Sequence, residues 1–550
     1  MRDSCPDLTR RQIMAAGGAV SATFAAGCFG GETPDGDGDP SVSQPDESVL
    51  HITQQVEPAH DYDPVVVNDA YSSRIVNHIF DGLYELGPDL EIQPKIAVDM
   101  PEEEDDGMRY IVEIQDGIEF HNGDPLTAED VLHSFTAPVE EETDNITSFD
   151  MIDVESSDVV DEHTVQFDLL EPYGAFPTMT VATNIVNMDL RMEEEDVEPA
   201  ERSYNVDDPV GTGPFQYVDH EDGDFLDMER WDDYWDEPLP EIEEVRWVAT
   251  EDDAARTAQI RAGDTDMALG IPPADYDLLV EEDEVDVANE PSISYFYIAF
   301  NTNEGPTTDP EVRNAIEHTF SASAFIEDII GELGENAVAP MGPAVLEEWG
   351  FPADEYAEME NEFDPEQAAE MLEGHDVDGW EPELIAPPDD IRISLMERVA
   401  ARLGELGQFG VDIEPQVRSL SWAEFLDRYT TGEADDYAMY TLGWTGHIDP
   451  DAYYWALFHE SSEGVNQGHF YDNQEFHDTL EDARQSVDQD ERFELYDEAT
   501  RTLLEDKVHI PTYSIHNSIA SMPYVSDLEV HPHSSFKPRL VSDEHNVGVQ

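Results

Sequence analysis

The chain carries 130 acidic side chains against 24 basic ones, and this excess limits the conditions in which it can fold. The formal net charge is -106, and so much like charge weakens the compact state at low ionic strength. In about 1 M salt the Debye length falls to roughly 3 Å, which screens most of that repulsion. Because the acids are spread along the whole chain, we interpret them as an adaptation to a hypersaline medium. The alternative, an acidic decoy for basic partners, would favour local acidic blocks.

Length and composition also restrict the domains and the partners. A chain of 550 residues is too long for one compact core, so two or three domains are expected. No basic patch is present to neutralise phosphates, which argues against nucleic acid as a partner. The two cysteines, Cys5 and Cys28, precede the folded body, which we therefore expect to lack disulfides and cysteine metal sites. We expect the folded body to be a monomer.

Residues 1–28 have the pattern of an export signal. Arg10 and Arg11 precede a weakly apolar stretch, residues 13–27, which is too short to span a membrane and fits a signal peptide. The arginine pair resembles a twin-arginine signal, the route that exports folded proteins. The run AAGC at 25–28 resembles a lipobox, in which Cys28 becomes the lipidated first residue, although Ala25 stands where leucine is usual. The alternative is simple cleavage and full secretion.

The segment 29–48 is rich in glycine, proline and acid and almost free of large apolar residues. Such a composition predicts a flexible acidic tether. A tether directly after Cys28 favours lipidation over secretion. The sequence therefore predicts a protein on the extracellular face of the cell membrane, held there by a lipid.

From residue 49 onward, strand and helix signals alternate and predict an α/β architecture. Residues 108–115 and 165–169 alternate apolar and polar side chains, as half-buried strands do, and 295–300 is apolar throughout, as in a strand covered on both faces. Helix starts are predicted by a capping box at 127–130 and by Asp-Pro pairs at 309–310 and 364–365, and another helix is predicted from about residue 253 to Gly263.

A distinctive run, DGIEFHNGDPLTAEDV, stands at 116–131. Further motifs follow in order: VGTGPF at 210–215, WDDYWDEP at 231–238, IRAGDTD at 260–266, IAFNTN at 298–303 with VRNA at 312–315, and GWTG at 443–446 with DPD at 449–451. One such motif is weak evidence, whereas the ordered series, over roughly residues 50–515, is specific. The series resembles the family-five extracellular solute-binding proteins of ABC importers, the peptide/nickel class.

This resemblance implies a two-lobed periplasmic-binding-protein type II fold, with an extra inserted domain and a ligand enclosed between the lobes. It implies lobe I at 49–93, 206–297 and 508–550, the inserted domain at 94–205, and lobe II at 298–507. The implied function is closure of a hinge around a solute, which buries the solute and presents the closed form to an ABC permease and its ATPase.

The resemblance also places the ligand near the loop after residue 443. In this family an aspartate shortly after the Gly-Trp pair often binds the α-amine of a peptide, since a carboxylate in a dry cleft suits an ammonium group. Here Gly443, Trp444 and Thr445 are followed by His447 at or next to that position, with Asp449 two residues on. Three interpretations of the ligand amine stay open: Asp449 binds it, a neutral His447 accepts its proton, or the ligand carries no amine. A fourth alternative is that His447 only caps the loop and does not contact a ligand.

Other residues complete the predicted ligand site. Trp444 either stacks on ligand or closes the hinge core, and the resemblance favours the cleft. The backbone of 441–445 is expected to pair with an extended ligand as an added strand, which reads a peptide without regard to its side chains. Asn301 and Tyr71 either line the first-lobe side of the cleft or are structural.

We expect no cofactor and no metal. His459 and His469 lie ten residues apart, and His531 and His533 form a His-x-His, but neither pair has the helical spacing of a strong zinc site. His121, in the 116–131 run, stands alone. The chain has no Gly-x-Ser-x-Gly, His-Glu-x-x-His or phosphate-binding Gly-Lys-Ser/Thr motif, so we expect no enzyme.

Three functions are compatible with these features. The leading hypothesis is the binding component of an oligopeptide or dipeptide importer. The second, suggested by His447 and by an aromatic ring beside polar residues, is an oligosaccharide or nickel-chelate binder of the same family. The third, from another class, is a secreted hydrolase, which only the export signal suggests.

Overall fold

The computed structural model describes residues 49–55, 61–67, 69–143, 149–180, 183–221, 223–542 and 545–549. The predicted export signal with Arg10, Arg11 and Cys28, and the predicted tether, lie outside the described residues.

Within the described residues the structure contains both strands and helices, as the sequence predicts. The strands are β1 (Val49–Gln54), β2 (Tyr84–Leu86), β3 (Ile92–Pro94), β4 (Glu102–Glu104), β5 (Arg109–Glu113), β6 (Asp158–Asp161), β7 (Thr164–Asp168), β8 (Phe215–Glu221), β9 (Phe225–Arg230), β10 (Glu244–Ala249), β11 (Met267–Leu269), β12 (Asp286–Glu290), β13 (Ser294–Phe300), β14 (Gly334–Asn336), β15 (Glu383–Ala386), β16 (Gln416–Ser419), β17 (Met439–Thr445), β18 (His509–Ile515), β19 (Asn517–Ser521), β20 (Val525–Ser526) and β21 (Gly548–Val549).

The α-helices are α1 (Ala70–Ile79), α2 (Ala128–Glu140), α3 (Phe176–Met179), α4 (Met188–Arg191), α5 (Ser203–Val206), α6 (Asp253–Ala262), α7 (Pro273–Val280), α8 (Pro310–Glu317), α9 (Ala322–Phe325), α10 (Pro343–Trp349), α11 (Ala353–Ala357), α12 (Pro365–Met371), α13 (Asp390–Glu405), α14 (Trp422–Tyr429), α15 (Asp451–Phe458), α16 (Gln474–Gln485) and α17 (Gln489–Asp506). A short 3₁₀ turn, Ser534–Phe536, lies close to α1.

The predicted helix starts are confirmed in atomic detail. Thr127 and Asp130 form the capping box of α2. Asp309 and Asp364 cap α8 and α12 through their side chains, each with a proline in the first turn. Gly263 ends α6 in the left-handed conformation at φ 70°, which glycine adopts at little cost. These helix ends depend on neighbouring residues only, and the structure places each of them where the sequence predicts it.

Two large sheets organise the chain. The first has the order β12-β19-β11-β1-β10-β9-β8, and β1 runs parallel to β10 and β11. The second has the order β14-β18-β13-β17-β15-β16, with β13 antiparallel to both β17 and β18. The chain passes from the first sheet to the second after β12 and returns between β18 and β19. The predicted α/β class is therefore confirmed.

A smaller antiparallel sheet, β4-β5-β7-β6, is built from residues between the first sheet's strands β1 and β8. Its strands all lie within residues 94–205, the range predicted for an inserted domain. The predicted lobe boundaries differ slightly from the sheets, because β13 and β18 pair along their length and both belong to the second sheet. Residues 294–297 and 509–515, predicted to belong to lobe I, thus pair with strands of the second sheet, most of which lies in the range predicted for lobe II.

Several of the few cations lie inside the protein. Arg191 is fully buried, and its guanidinium binds Asp63 at 2.6 Å and both carboxylate oxygens of Glu141. All three lysines, Lys95, Lys507 and Lys537, have side chains at most 14% exposed. These buried cations neutralise carboxylates that would otherwise be costly to bury, while other arginines pair with carboxylates on the surface.

Candidate functional site

The candidate site is a cavity of about 740 Å³, lined by residues of α1, of the inserted region and of the segment that follows β17. Its first wall comes from the start of α1 and from the 533–536 segment. Its second wall comes from the inserted region, including Phe149, Tyr173 and Thr183. Its third wall comes from the loop after β17, from α15 and from Arg484 of α16. A cavity of this size, enclosed by separate parts of the fold, is the expected place for a ligand.

The first wall is held by hydrogen bonds between α1 and the 3₁₀ turn. Arg74 Nε donates to the Ser534 carbonyl at 2.9 Å, and Asn77 Nδ2 donates to the Ser535 carbonyl at 3.0 Å. Asp69 caps α1, since its Oδ1 accepts the backbone N–H groups of Tyr71 and Ser72 at 2.8 and 2.9 Å. These bonds hold the 3₁₀ turn against α1.

The Gly-Trp pair of the third wall is set by packing on β13. Gly443 lies opposite Phe296, and a Cβ atom at Gly443 would approach the Phe296 ring to 2.4 Å. A side chain at this position would have to displace the Phe296 ring. The neighbouring Trp444 and Thr445 line the cavity, and Trp444 Nε1 donates to the Ala452 carbonyl at 2.8 Å. This bond fixes the indole ring against the start of α15.

One edge of β17 is only partly paired. On one side β17 pairs with β13 over its whole length, from Met439 to Thr445. On the other side β15 pairs only with Met439 and Tyr440. Within the described residues, no other strand pairs with 441–445. The end of this open edge, at 444–445, lies on the cavity.

His447 lines the cavity and is half-buried. Its ring centroid lies 5.8 Å from that of His533, which comes from the opposite wall. Burial lowers the pKa of His447, although the nearby Asp449 carboxylate opposes this effect. The pKa of His533 is also lowered, by burial and by the other histidines. Two uncharged imidazoles therefore face each other across the cavity at neutral pH.

Asp449 does not reach the cavity, because its carboxylate is used inside the protein. It is fully buried and accepts two hydrogen bonds from Arg492, at 2.6 and 2.9 Å. The Thr178 hydroxyl donates to it at 2.7 Å, and the backbone N–H of Asp451 at 2.9 Å. Burial alone would raise the pKa of Asp449, but the Arg492 charge and these bonds outweigh burial and lower it. Of the open interpretations for the ligand amine, the structure gives Asp449 a different, internal role.

Asp451 forms a second buried pair beside the first. Its carboxylate accepts a hydrogen bond from Arg484 Nη1 at 2.7 Å and from the hydroxyls of Tyr173 and Tyr496 at 3.1 and 3.2 Å. The Arg484 guanidinium lies over the rings of Tyr173 and Trp455, 4.4 and 4.2 Å from their centroids. Together with Arg492 and Asp449, these two charges form the Asp-Pro-Asp network.

This network joins the inserted region to the segment that follows β17 of the second sheet. Thr178 and Tyr173 belong to the inserted region, and both donate to the aspartates that follow β17. Beside them Gly174 N–H donates to the Arg484 carbonyl at 2.9 Å, and a Cβ at Gly174 would lie 1.7 Å from the Ser486 carbonyl oxygen. The two backbones touch directly, which requires glycine at this point.

Tyr71 and Asn301 are not among the residues that line the cavity. The Tyr71 ring lies 4.8 Å from the Arg74 guanidinium carbon. Asn301 is fully buried, and its Oδ1 accepts the backbone N–H groups of Asn303 and Glu304. Asn301 thus shapes the turn after β13, which is the structural alternative for this residue.

The histidines singled out by the sequence mostly bond to nearby backbone. His469 Nε2 lies 2.6 Å from the Leu457 carbonyl, His531 Nε2 lies 3.1 Å from the Leu86 carbonyl, and His121 Nε2 lies 2.9 Å from the Gly213 carbonyl. Elsewhere, His375 lies between the carboxylates of Asp309 and Glu311, at 3.1 and 3.3 Å. These three side chains form a possible ligand group for a cation, and they are on the surface rather than in the cavity.

Asp150 and Arg484 line the cavity but were missed by sequence reasoning. Asp150 is one acid among 130, and nothing in its sequence context separates it from the rest. For Arg484 a signal existed, since basic residues are rare in this chain and each deserves a structural explanation.

The model of the bacterial extracellular solute-binding proteins, family 5 Middle, matches residues 91–464. The oligopeptide-binding protein AppA of Bacillus subtilis (strain 168) is 23% identical over 532 residues, covering 93% of this chain and 95% of AppA. A dipeptide-binding protein of Pseudomonas aeruginosa is 26% identical over 447 residues, covering 76% of this chain and 80% of that protein.

Solved structures show the same fold. The structure of AppA from Bacillus subtilis in complex with a nonapeptide gives a TM-score of 0.71 at 22% identity, covering 89% of this chain and 97% of that one. A dipeptide binding protein from Pseudoalteromonas sp. SM9913 in complex with Met-Leu gives 0.72 at 21% identity, covering 88% and 98%. The two-lobed type II periplasmic-binding-protein fold is thereby shown. None of the helices among the described residues has the length and apolar character needed to cross a membrane.

The Asp449–Arg492 pair generates a stability prediction. Asp449→Asn leaves the Arg492 charge buried without its partner, and we expect a loss of about 3–5 kcal/mol in the free energy of unfolding. The matched control is Asp227→Asn at the half-exposed Asp227–Arg246 pair, where we expect about 1 kcal/mol or less. Urea unfolding of both variants in molar salt measures the difference. Equal losses would contradict the structural role of Asp449.

Proposed function

The chain belongs to family 5 of the bacterial extracellular solute-binding proteins, and we propose that it captures a dipeptide or oligopeptide in its interlobe cavity and delivers it to an ABC permease. Relatives named as oligopeptide- and dipeptide-binding proteins support this proposal, since they align over most of their length. Hinge closure around the peptide would present the closed form to the permease and its ATPase.

The observation that carries the peptide proposal is the open edge of β17. An extended peptide adds to such an edge through main-chain hydrogen bonds, which are independent of side-chain identity. The edge ends at Trp444 and Thr445 on the cavity, so a strand added there would enter it. Trp444 then offers an aromatic face to one ligand side chain.

Backbone recognition predicts a specific response to N-methylation of the ligand. A methyl group on a peptide nitrogen that bonds to the β17 edge removes one hydrogen bond, which contributes about 1 kcal/mol to binding. We therefore expect Kd to increase roughly fivefold. Calorimetry in molar salt, after mass spectrometry has identified the peptides that co-purify with the full-length protein, gives the measurement. The control is an exchange of one apolar ligand side chain for another of similar size.

Three outcomes would count against the peptide proposal. Recovery of only sugars or only metal chelates from the cavity would favour the second hypothesis, with His447 and His533 facing such a ligand. Turnover of a peptide or glycoside by the pure protein would favour the hydrolase. Insensitivity to N-methylation at every position would exclude strand addition.

We also propose that the protein is exported by the twin-arginine route and anchored through Cys28. The lipobox-like run at 25–28 and the tether-like composition of 29–48 support this proposal. Cys28→Ser should release the protein from the membrane fraction into the medium, because serine has no thiol to which the lipid can be attached. Cys5→Ser, which changes the only other cysteine, is the control and should leave the protein on the membrane. Equal release of both variants would contradict the anchor.

The net charge of -106 supports a hypersaline habitat for the protein. We expect the urea midpoint of unfolding to rise strongly between about 0.1 M and about 1 M potassium chloride, as the Debye length falls from about 10 Å to about 3 Å. Sucrose at equal osmolality, which is excluded from protein surfaces but does not screen charge, serves as the control. A midpoint that responds equally to both solutes would contradict charge screening.

A further inference from the structure

The His-x-His motif at 531–533 directly precedes the 3₁₀ turn Ser534–Phe536 in the first wall of the cavity. Both imidazoles are buried, with 1% of His531 and 7% of His533 exposed. The ring of Phe536 contacts both of them, at centroid distances of 5.2 Å. The motif therefore lies where it can control the shape of this wall.

Each of the two histidines accepts a hydrogen bond from the backbone two residues further on. His531 Nδ1 accepts the N–H of His533 at 2.9 Å, and His533 Nδ1 accepts the N–H of Ser535 at 3.2 Å. His531 Nε2 lies 3.1 Å from the Leu86 carbonyl oxygen, which can only accept. Because an imidazole nitrogen accepts only through a free lone pair, this pattern requires both rings to be uncharged, with the proton on Nε2. A second proton, on Nδ1, would break the bond that this nitrogen accepts.

The backbone shaped by these bonds is tied to two other parts of the fold. The carbonyls of residues 534 and 535 accept from Arg74 and Asn77 of α1. The carbonyls of residues 531 and 532 accept from Asn517 of β19, at 2.9 and 2.7 Å. The two Nδ1 bonds fix the backbone that presents these four carbonyls, so their loss would loosen the wall from both α1 and β19.

The surroundings of both rings disfavour a positive charge. Burial lowers the pKa of His531 to about 4 and the pKa of His533 well below its usual range. Arg539 beside His531 and His447 beside His533 act in the same direction. Among the residues that the structure describes, no carboxylate forms an ion pair with either ring. Apart from Arg74, the titratable groups on the surrounding elements are Asp69, His78, Glu85, His447, Lys537 and Arg539.

We propose that His531 and His533 form an acid-sensitive latch, which holds the first wall of the cavity only while both imidazoles are uncharged. The latch goes beyond the proposed function, because it acts on the protein with or without a ligand. In the released wall each ring reaches water and titrates near its ordinary pKa of about 6.5. Release is therefore favoured as the pH falls from about 6.5 towards about 4, and it does not depend on pH above about 7.

Hydrogen exchange of the full-length protein in molar salt measures the latch directly. The peptide that contains the amides of His533 and Ser535 is followed by mass spectrometry at pH 8 and pH 5, with correction for the intrinsic exchange rate. We expect its protection factor to fall by about 30-fold for one histidine that takes up a proton, and by about 1000-fold for two. Peptides from β13 are the internal reference. Equal protection at the two pH values, or an equal fall in β13, would overturn the inference.

Two substitutions remove the charge and keep the acceptor. In His531→Asn and His533→Asn an amide oxygen takes the place of Nδ1 and accepts the same backbone N–H, but asparagine does not titrate. Each single variant should keep the protection seen at pH 8 and lose part of the pH dependence, and the double variant should lose all of it. A fall that persists in the double variant would assign the effect to another group, such as Lys537, and would refute the latch.

The matched control is His121→Asn. His121 Nδ1 also accepts a backbone N–H, that of Gly211 at 3.3 Å, and its Nε2 also lies near a backbone carbonyl, but it is far from the 531–536 segment in sequence. This variant should leave the pH dependence of the 531–536 segment unchanged. Loss of that dependence in His121→Asn would contradict the assignment to His531 and His533.

A consequence for the ligand follows, and this step rests on the proposed function. The Kd of the peptide that co-purifies with the protein should rise between pH 8 and pH 5, and it should stay constant in the double variant. An unchanged Kd in the natural protein, together with reduced protection of the wall, would overturn this step and leave the latch standing. If no peptide binds at either pH, the proposed function fails, whereas the exchange result still decides on the latch.

Discussion

The buried Asp-Pro-Asp network is the interaction on which the arrangement of the cavity depends. Asp449 and Asp451 follow β17 directly, and their partners Arg492 and Arg484 come from the two long helices α17 and α16. Thr178 and Tyr173 bring the inserted region to the same carboxylates. Because these charges are buried, salt that screens the surface affects them little. The network thus remains strong in the same molar salt that suppresses repulsion between the surface acids.

The sequence was sufficient for features that depend on neighbouring residues. Capping boxes, Asp-Pro helix starts and alternating strands such as β5 are local signals, and the ordered motifs supplied the architecture. The site was predicted only in part, since Trp444, Thr445 and His447 line the cavity whereas Tyr71 and Asn301 do not. The hydrogen-bond partners of Asp449 could not be predicted from the sequence, because they lie 43 and 271 positions away. Among 130 acids, the sequence does not indicate which one meets an arginine.

Two glycines allow close contacts that a side chain would block. At Gly443 the Phe296 ring occupies the space of a side chain, and at Gly174 the Ser486 carbonyl does. The first contact joins the central strands of the second sheet, and the second seats the inserted region against α16. Both are steric requirements of the scaffold, and neither depends on which ligand the cavity receives.

The inward placement of all three lysines has a chemical consequence. Reagents that acylate primary amines, and proteases that cleave after lysine, act on side chains that reach the solvent. Lys507 is bound to Glu317 at 2.7 Å, and Lys537, whose pKa burial lowers well below its usual range, donates to Asn517. Lys95 is held by Glu85 and Asp236. Lysine acylation would therefore mark chains that have lost their fold, and amine-coupled labels or crosslinkers would find little to attach to on the native body.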